Sequence, residues 1–335
     1  MWYVLLEILL LFAGFGLLYV GGNGLVKNAI TLAKGFDVPA WVIGITIVAF
    51  GTSAPELAVN VRAAIGGNEA ISFGNIFGSN IANIALILAL CAILKPLSVH
   101  KQLVRKTIPM LLVFTGLATF MVLDPVRELG RIPEFDHFDG VILLILFGCF
   151  LYLIYRHALG KPKRALLPGA VEEVGSMAGE YSPKKALLFV FGSLVFLWVG
   201  AELTVHSAVY LAGKADISEA VIGLTVIAFG TSLPELAVGV IATLKGHYDL
   251  AVGNVVGSNI FNLLLVMGVT STIAKVPLPE DGHGGEDLIV VCWVAVLLYL
   301  TALTQKRISR TEGWILLVIY LGYTTWRFFF SGSGA

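Results

Sequence analysis

GITIVAFGTSAPELAVNV (44–61) returns 179 residues later as GLTVIAFGTSLPELAVGV (223–240). At the same shift GNIFGSNIANIAL (74–86) becomes GNVVGSNIFNLLL (253–265), and Val20 and Gly21 line up more weakly with Val199 and Gly200. Self-similarity of this length means that the chain is two homologous halves. We take residues 1–157 as the first half, 185–335 as the second, and 158–184 as the linker between them.

The stretches around the repeats set the fold class. Hydrophobic residues make up 57% of the chain and charged residues 13%, with mean hydropathy +0.89, whereas a soluble domain is about a quarter charged. Apolar runs of the length that crosses about 30 Å of hydrocarbon as a helix recur near residues 3–22, 39–65, 71–94, 107–123, 139–157, 185–206, 217–244, 249–273, 287–304 and 312–331. None alternates with the period of two that a barrel strand requires. The expectation is an all-α polytopic membrane protein of about ten transmembrane helices. Five spans per half is an odd number, so the second half enters the bilayer upside down relative to the first, an inverted-topology repeat.

Charge placement adds an orientation. With the N-terminus outside, sixteen Lys and Arg, among them Lys27, Lys34, Lys95, Lys101, Arg105 and Lys106, fall inside, and six (Arg62, Arg127, Arg131, Lys214, Lys275 and Arg327) fall outside, which accounts for all 22. Cytoplasmic loops retain basic residues, so both termini are expected outside a cell (inner or plasma) membrane. The linker, with Glu172, Glu173 and Glu180, reads as a solvated cytoplasmic connection. The first span has neither a basic segment before it nor a small-residue cleavage site after it, and is read as retained. Cys91, Cys149 and Cys292 form no metal or redox pattern and read as packing residues. A net charge of zero gives no case for nucleic acid binding.

Each half then carries a polar constellation at mid-membrane depth. Glu56 and Glu235 each follow a Gly-Thr-Ser triplet and a proline inside a span. A carboxylate there costs several kcal/mol unless it is paired or ligates an ion. Pro55 and Pro234 lack the N–H that continues a helix, and Gly51 and Gly230 tolerate the angles of a break, so each span is expected to split into two half-helices. Irregular backbone at that depth is tolerable only where it lines a cavity or is buried in protein. The alternative for Ser53-Ala-Pro-Glu56 and Ser232-Leu-Pro-Glu235 is a capping box, in which Ser and Glu satisfy backbone donors at a helix start. Its occurrence twice, at bilayer depth and in inverted halves, favours ligation, and the two roles are compatible.

The neighbouring span of each half offers Ser79 and Asn83, then Ser258 and Asn262, each pair four residues apart and so on one helix face. With Thr52, Ser53, Thr231 and Ser232 the donors are oxygens throughout, without His or Cys. That set suits hard cations such as Na⁺ and Ca²⁺ and not zinc or copper. Two carboxylates balance one Ca²⁺ or two Na⁺. Gly74 with Gly78 and Gly253 with Gly257 also read as small-residue packing motifs, which does not account for the polar set. Glu7, Asn23, Glu202 and His206 read as interfacial, and the loop with Glu280, Asp281, Glu286 and Asp287 as solvated.

GTSAPE and GTSLPE, with GNIFGSNIAN and GNVVGSNIFN, resemble the paired alpha-repeats of the cation/calcium antiporter superfamily, in its sodium/calcium exchanger branch. The resemblance implies antiport of Ca²⁺ against Na⁺ by alternating access, with Na⁺, Ca²⁺ and the bilayer as partners and no resident cofactor. By motif position it implies that Glu56 and Glu235 are carboxylates shared by Ca²⁺ and Na⁺. Thr52 and Thr231 would assist Ca²⁺, and Ser53, Ser79, Ser232 and Ser258 would serve Na⁺. The carbonyls of Ala49 and Ala228 would contribute, and Asn83 and Asn262 would line the centre. Some prokaryotic and potassium-dependent members carry Asp where this chain has Asn262, which implies exchange independent of K⁺. The calcium/proton branch carries a different, Glu-containing motif in place of GNxxGSN.

Three other functions fit parts of the pattern. A Ca²⁺/H⁺ antiporter would use the same two glutamates as proton carriers. A membrane-embedded enzyme would use them as an acid/base pair, but two symmetric carboxylates lack the environmental difference that separates acid from base. A passive cation channel would need no inverted repeat.

Overall fold

The computed structural model describes residues 2–67, 69–123, 133–159, 182–214, 230–279, 284–304 and 306–330. Eleven helical rods carry these residues. In the first half they are α1 (Trp2–Gly35), α2 (Ala40–Thr52), α3 (Ala54–Ile65), α4 (Ile71–Leu94), α5 (Leu103–Leu123) and α6 (His137–Leu159). The second half has α7 (Pro183–Lys214), α8 (Leu233–Leu244), α9 (Tyr248–Ile273), α10 (Gly284–Leu303) and α11 (Arg310–Phe330).

Among the described residues seven helices are long and apolar enough to cross a membrane, and an eighth span is the pair α2 and α3, bent by 41°. The described residues thus give eight spans where the sequence predicts about ten. The expected span 217–244 is described only in its second part, as α8, and α11 is a 21-residue helix that includes Arg310, Glu312 and Arg327. The expected ends of the first and sixth spans need correction. In place of 3–22 and 185–206, α1 has 34 residues and α7 has 32. At 1.5 Å per residue each reaches about 50 Å, more than the hydrocarbon thickness, because no proline or charge cluster stops either helix at the interface.

The inverted repeat is visible in how equivalent residues meet. Helices α1 and α7 pack antiparallel along a seam of small residues. Gly21 faces Ser193 and Leu197, and its counterpart Gly200 faces Gly14 and Leu18, the counterparts of Ser193 and Leu197. A Cβ at Gly21 would lie 2.8 Å from the Ser193 carbonyl, and one at Gly200 2.9 Å from that of Gly14. Both glycines are therefore what lets the backbones approach. The same exchange holds at the centre. Asn80 Nδ2 donates to the Asn259 carbonyl at 3.4 Å, and Asn259 Nδ2 donates to the Asn80 carbonyl at 3.3 Å. The two residues are separated by the repeat length of 179.

The halves are interleaved. Gly140 on α6 lies against Gly268 and Thr272 at the end of α9, and Gly313 on α11 against Ala89 and Ile93 at the end of α4. Four two-residue strands seal the two ends of the bundle. Leu97–Ser98 pairs with Arg307–Ile308, and Glu134–Phe135 with Val276–Pro277, each antiparallel and each across the halves. At the first of these ends Lys95 Nζ donates to the Leu244 carbonyl at 2.7 Å, and Arg310 reaches that of Leu94 at 3.3 Å, so one end gathers basic residues. At the other end Lys275 pairs with Glu134.

The interior is aliphatic and aromatic, with Phe73, Phe77, Phe135 and Phe150 fully buried. Outside, α1 and α7 present Trp2, Phe12, Phe15, Leu188, Phe191 and Trp198. An apolar exterior around an apolar core is the surface that hydrocarbon solvates.

Candidate cation-binding site

The break that positions the site falls at Ser53 in the first half, at φ −83°, ψ 2°, and in the second half α8 starts after Ser232 with nearly the same angles, φ −89°, ψ 5°. Pro55 and Pro234 occupy the first turn of α3 and α8, where a missing N–H is tolerated. Pro55 cannot donate to Gly51, four residues back, so the carbonyl at that step loses its helical partner. Glu56 and Glu235 then lie in the first turns of α3 and α8, where the positive end of the helix dipole favours a carboxylate. Gly51 serves a purpose different from the one its sequence suggested. It is helical, and a Cβ there would collide with Leu194, as one at Gly230 would with Val205. These glycines make room for α7 and do not supply the break.

Ser53 and Ser232 make no side-chain cap bond, so the capping-box alternative does not hold. Ser53 Oγ crosses to the other half and donates to Glu235 Oε1 at 3.3 Å, where Ser258 Oγ also donates at 3.3 Å. Thr52 Oγ1 donates to Asn254 Oδ1 at 3.2 Å and lies 3.4 Å from Ser258 Oγ. Its counterpart Thr231 donates to Asn75, the counterpart of Asn254, at 3.4 Å. Asn83 Nδ2 donates to Asn259 Oδ1 at 2.9 Å.

Around this network buried oxygens lack hydrogen-bond partners among the described residues. They include both carboxylate oxygens of Glu56, Oε2 of Glu235, Oγ of Ser79 and Ser232, and Oδ1 of Asn83 and Asn262. Glu56, Glu235, Asn83 and Asn262 have no exposed surface. Unpaired buried polar atoms are costly and rare; here the oxygens, two of them on one carboxylate, are accompanied by unpaired amide nitrogens of Asn75, Asn254 and Asn262.

Eleven of the twelve residues singled out by the sequence are placed: hydrogen bonds join Thr52, Ser53, Ser258 and Glu235, Thr231 meets Asn75 and Asn83 meets Asn259, while Glu56, Ser79, Ser232 and Asn262 are buried without a hydrogen bond to another of the set. Ala228 lies outside the described residues. The Ala49 carbonyl accepts Ser53 N–H at 2.9 Å and Thr52 Oγ1 at 3.3 Å. It is engaged within its own helix, while Pro55 has no N–H to offer the carbonyl of Gly51. The sequence reading passed over Asn75 with Asn254 and Asn80 with Asn259. The spacing of four that joins Ser79 to Asn83 extends back to Asn75 and would have found it. Asn80 was not accessible that way, because it faces the other half. Of the residues read as interfacial, Asn23 bonds the carbonyl of Tyr19 in its own helix and Glu202 is exposed. Glu7 is buried and lies 3.8 Å from His206, which brings the start of α1 beside the later part of α7.

Three comparisons place this geometry among known proteins. The family model described as "Sodium/calcium exchanger protein" matches residues 6–156 and 185–329. The chain is 34% identical over 323 residues to the "Inner membrane protein YrbG" of Escherichia coli, covering 96% of each. It is 28% identical over 346 residues to the "Sodium/calcium exchanger MaX1" of Methanosarcina acetivorans, covering 96% of this chain and 98% of that one. The solved structure of the sodium-calcium exchanger NCX_Mj superposes with TM-score 0.80 at 33% identity, covering 96% of this chain and 99% of that one. MaX1 and NCX_Mj are by name sodium/calcium exchangers, transporters and not enzymes. With a matching family model over both halves and whole-chain relatives above 30% identity, the chain belongs to the sodium/calcium exchanger family of membrane cation antiporters.

Proposed function

We propose that the protein exchanges Na⁺ for Ca²⁺ across a cell membrane by alternating access, with the ions bound in turn between Glu56 and Glu235. The observation that carries this reading is the cluster of buried, unpartnered oxygens on two carboxylates, two serines and two asparagines. An unpaired buried charge costs several kcal/mol, and a hard cation is the ligand that such an all-oxygen set fits. In this reading Glu56 and Glu235 are shared by both ions. Thr52 and Thr231 assist Ca²⁺, while Ser53, Ser79, Ser232 and Ser258 serve Na⁺. Asn83 and Asn262 line the centre, and the carbonyls of Ala49 and Ala228 are joined by that of Gly51. Ca²⁺ and Na⁺ are cargo, and no resident cofactor is assigned. The likeness to MaX1 and NCX_Mj, both sodium/calcium exchangers by name, supports the choice of ions. The name of YrbG supports an inner or plasma membrane, and the gathering of basic residues at one end supports termini on the opposite, outer side.

The test is Ca²⁺ uptake into liposomes loaded with Na⁺ and diluted into Na⁺-free medium. Uptake that follows the Na⁺ gradient and ignores a pH gradient is expected. Uptake driven by pH and indifferent to Na⁺ would instead assign a Ca²⁺/H⁺ antiporter, and single-channel currents would assign a pore. A C-terminal reporter should be accessible from outside the cell; a cytoplasmic reporter would reverse the orientation.

A further inference from the structure

Four buried positions of the repeat are polar toward one end of the bundle and apolar toward the other. Asn60 on α3 and Ser72 on α4 stand where the second half has Gly239 and Ala251. Thr270 and Ser271 on α9 stand where the first half has Cys91 and Ala92. All eight are buried. The polar set lies toward the end that carries Glu134 and Lys275, where the start of α4 packs on Val276–Pro277, and the apolar set toward the basic end. One position runs the other way, with Thr243 where the first half has Ala64.

Asn60 lies one turn past Glu56 on the same face of α3 and has no exposed surface. Its Nδ2 donates to the Glu56 carbonyl at 2.6 Å, which leaves Oδ1 without a partner among the described residues. Ser72 Oγ is also buried and unpartnered, on the face of α4 that carries Ser79 and Asn83. Thr270 and Ser271 spend their hydroxyl protons on the carbonyls of Val266 and Met267 at 2.7 and 2.8 Å, so their oxygens remain acceptors. In the other arm the place of Asn60 is filled, since a Cβ at Gly239 would lie 3.2 Å from Cys91 Sγ and 3.3 Å from Ile87 Cγ2.

From this contrast we infer that Asn60 Oδ1 and Ser72 Oγ form a transit site for the transported cation, set between Glu56 and the Glu134 end and without an equivalent toward the basic end. The inference rests on the cation exchange proposed above and adds to it two residues outside the twelve. Neutral oxygens suit a hard cation. With no carboxylate of their own they hold it weakly enough to pass it on to Glu56, as a site on a path must.

Half-saturating Ca²⁺ and Na⁺ concentrations, measured on each face in right-side-out and inverted membrane vesicles, test this. Asn60→Leu keeps the volume and removes both polar atoms. On the Glu134 face, which is outer in the orientation proposed above, it should raise both constants about tenfold, and on the opposite face by less than about twofold. Asn60→Asp, which keeps an oxygen and adds charge, should lower the Ca²⁺ constant on the Glu134 face. Ser72→Ala should give a smaller shift on that same face, and it carries the test if elution shows that Asn60→Leu does not fold. A shift of equal size on both faces, a shift confined to the basic face, or none on either would overturn the inference while the parent's exchange stands. A parent that moves no Ca²⁺ would overturn the proposed function and this inference with it.

Discussion

Glu56 and Glu235 hold equivalent positions in two halves of one sequence repeat, yet their surroundings differ. Glu235 accepts hydrogen bonds from Ser53 and Ser258, whereas Glu56 accepts none from the matching residues Ser232 and Ser79, which are themselves without partners. The backbone frame around them does obey the repeat, as the Asn80 and Asn259 exchange and the glycine contacts of α1 and α7 show. Symmetry is thus kept in the frame and in the Thr52–Asn254 and Thr231–Asn75 pairs, and broken where serines meet the carboxylates. That is what a transporter that alternates between two related states needs, since one conformation of a pseudo-symmetric frame cannot be symmetric itself.

The largest effect should come from removing either charge. Glu56→Gln and Glu235→Gln should each reduce Na⁺-driven Ca²⁺ flux by more than about 100-fold while leaving an inserted, monodisperse protein, because a buried charge pairing is worth several kcal/mol. Liposome flux and elution profiles check this, and normal exchange in one of the two would mean that the carboxylates are unequal in role as well as in surroundings.

The frame is tested next. Gly21→Val and Gly200→Val should each destabilise the protein by about 1–3 kcal/mol, since overpacking pushes α1 from α7, while Gly16→Ala, which meets nothing within 4 Å, should be close to silent. Thermal unfolding in detergent measures it. Equal shifts at Gly21 and Gly200 would show that the symmetry of the seam holds in energy as well as in position.

A smaller difference should separate the serines. In ion-free protein Ser53→Ala should lower stability by about 1.5–3 kcal/mol through loss of a hydrogen bond to a charged group, whereas Ser232→Ala removes a hydroxyl with no partner and should cost little. With Na⁺ and Ca²⁺ present both should weaken apparent ion affinity. Identical ion-free unfolding curves for the two variants would erase the asymmetry described above.

The smallest expected change in rate, though the most diagnostic for selectivity, is at Asn262. Parent flux should be the same with and without K⁺. Asn262→Asp places a third carboxylate beside two others, and like charges at short range favour a bound proton or an additional cation. Flux of that variant should therefore depend on K⁺ or on pH between about 6 and 8. Strong K⁺ stimulation of the parent, or matching profiles for both proteins, would remove Asn262 from the centre of the site.

Much of this was legible in sequence because it rests on local or repeated signals. Apolar run length gave the eight described spans, proline gave the break before Glu56 and the helix start before Glu235, and the doubled motifs gave the two related halves. Helix overrun was not legible, since nothing in 20–35 or 205–214 stops a helix and only packing between α1 and α7 decides how far it continues. The role of Gly51 was misread because a close approach to Leu194 leaves no trace in the local sequence.

By itself the sequence determined which segments form long apolar helices and that their polar residues come in two repeated sets, because hydrophobic length and backbone chemistry act within a few residues of the chain. Only the tertiary structure decided which partner each polar group found. Ser53 could cap its own helix or reach Glu235 in the other half, and Asn80 could face lipid-filled space or its counterpart Asn259. Those choices turn on contacts between residues 179 or more positions apart, and short-range propensity carries no information about distances that only the packing of the two halves creates.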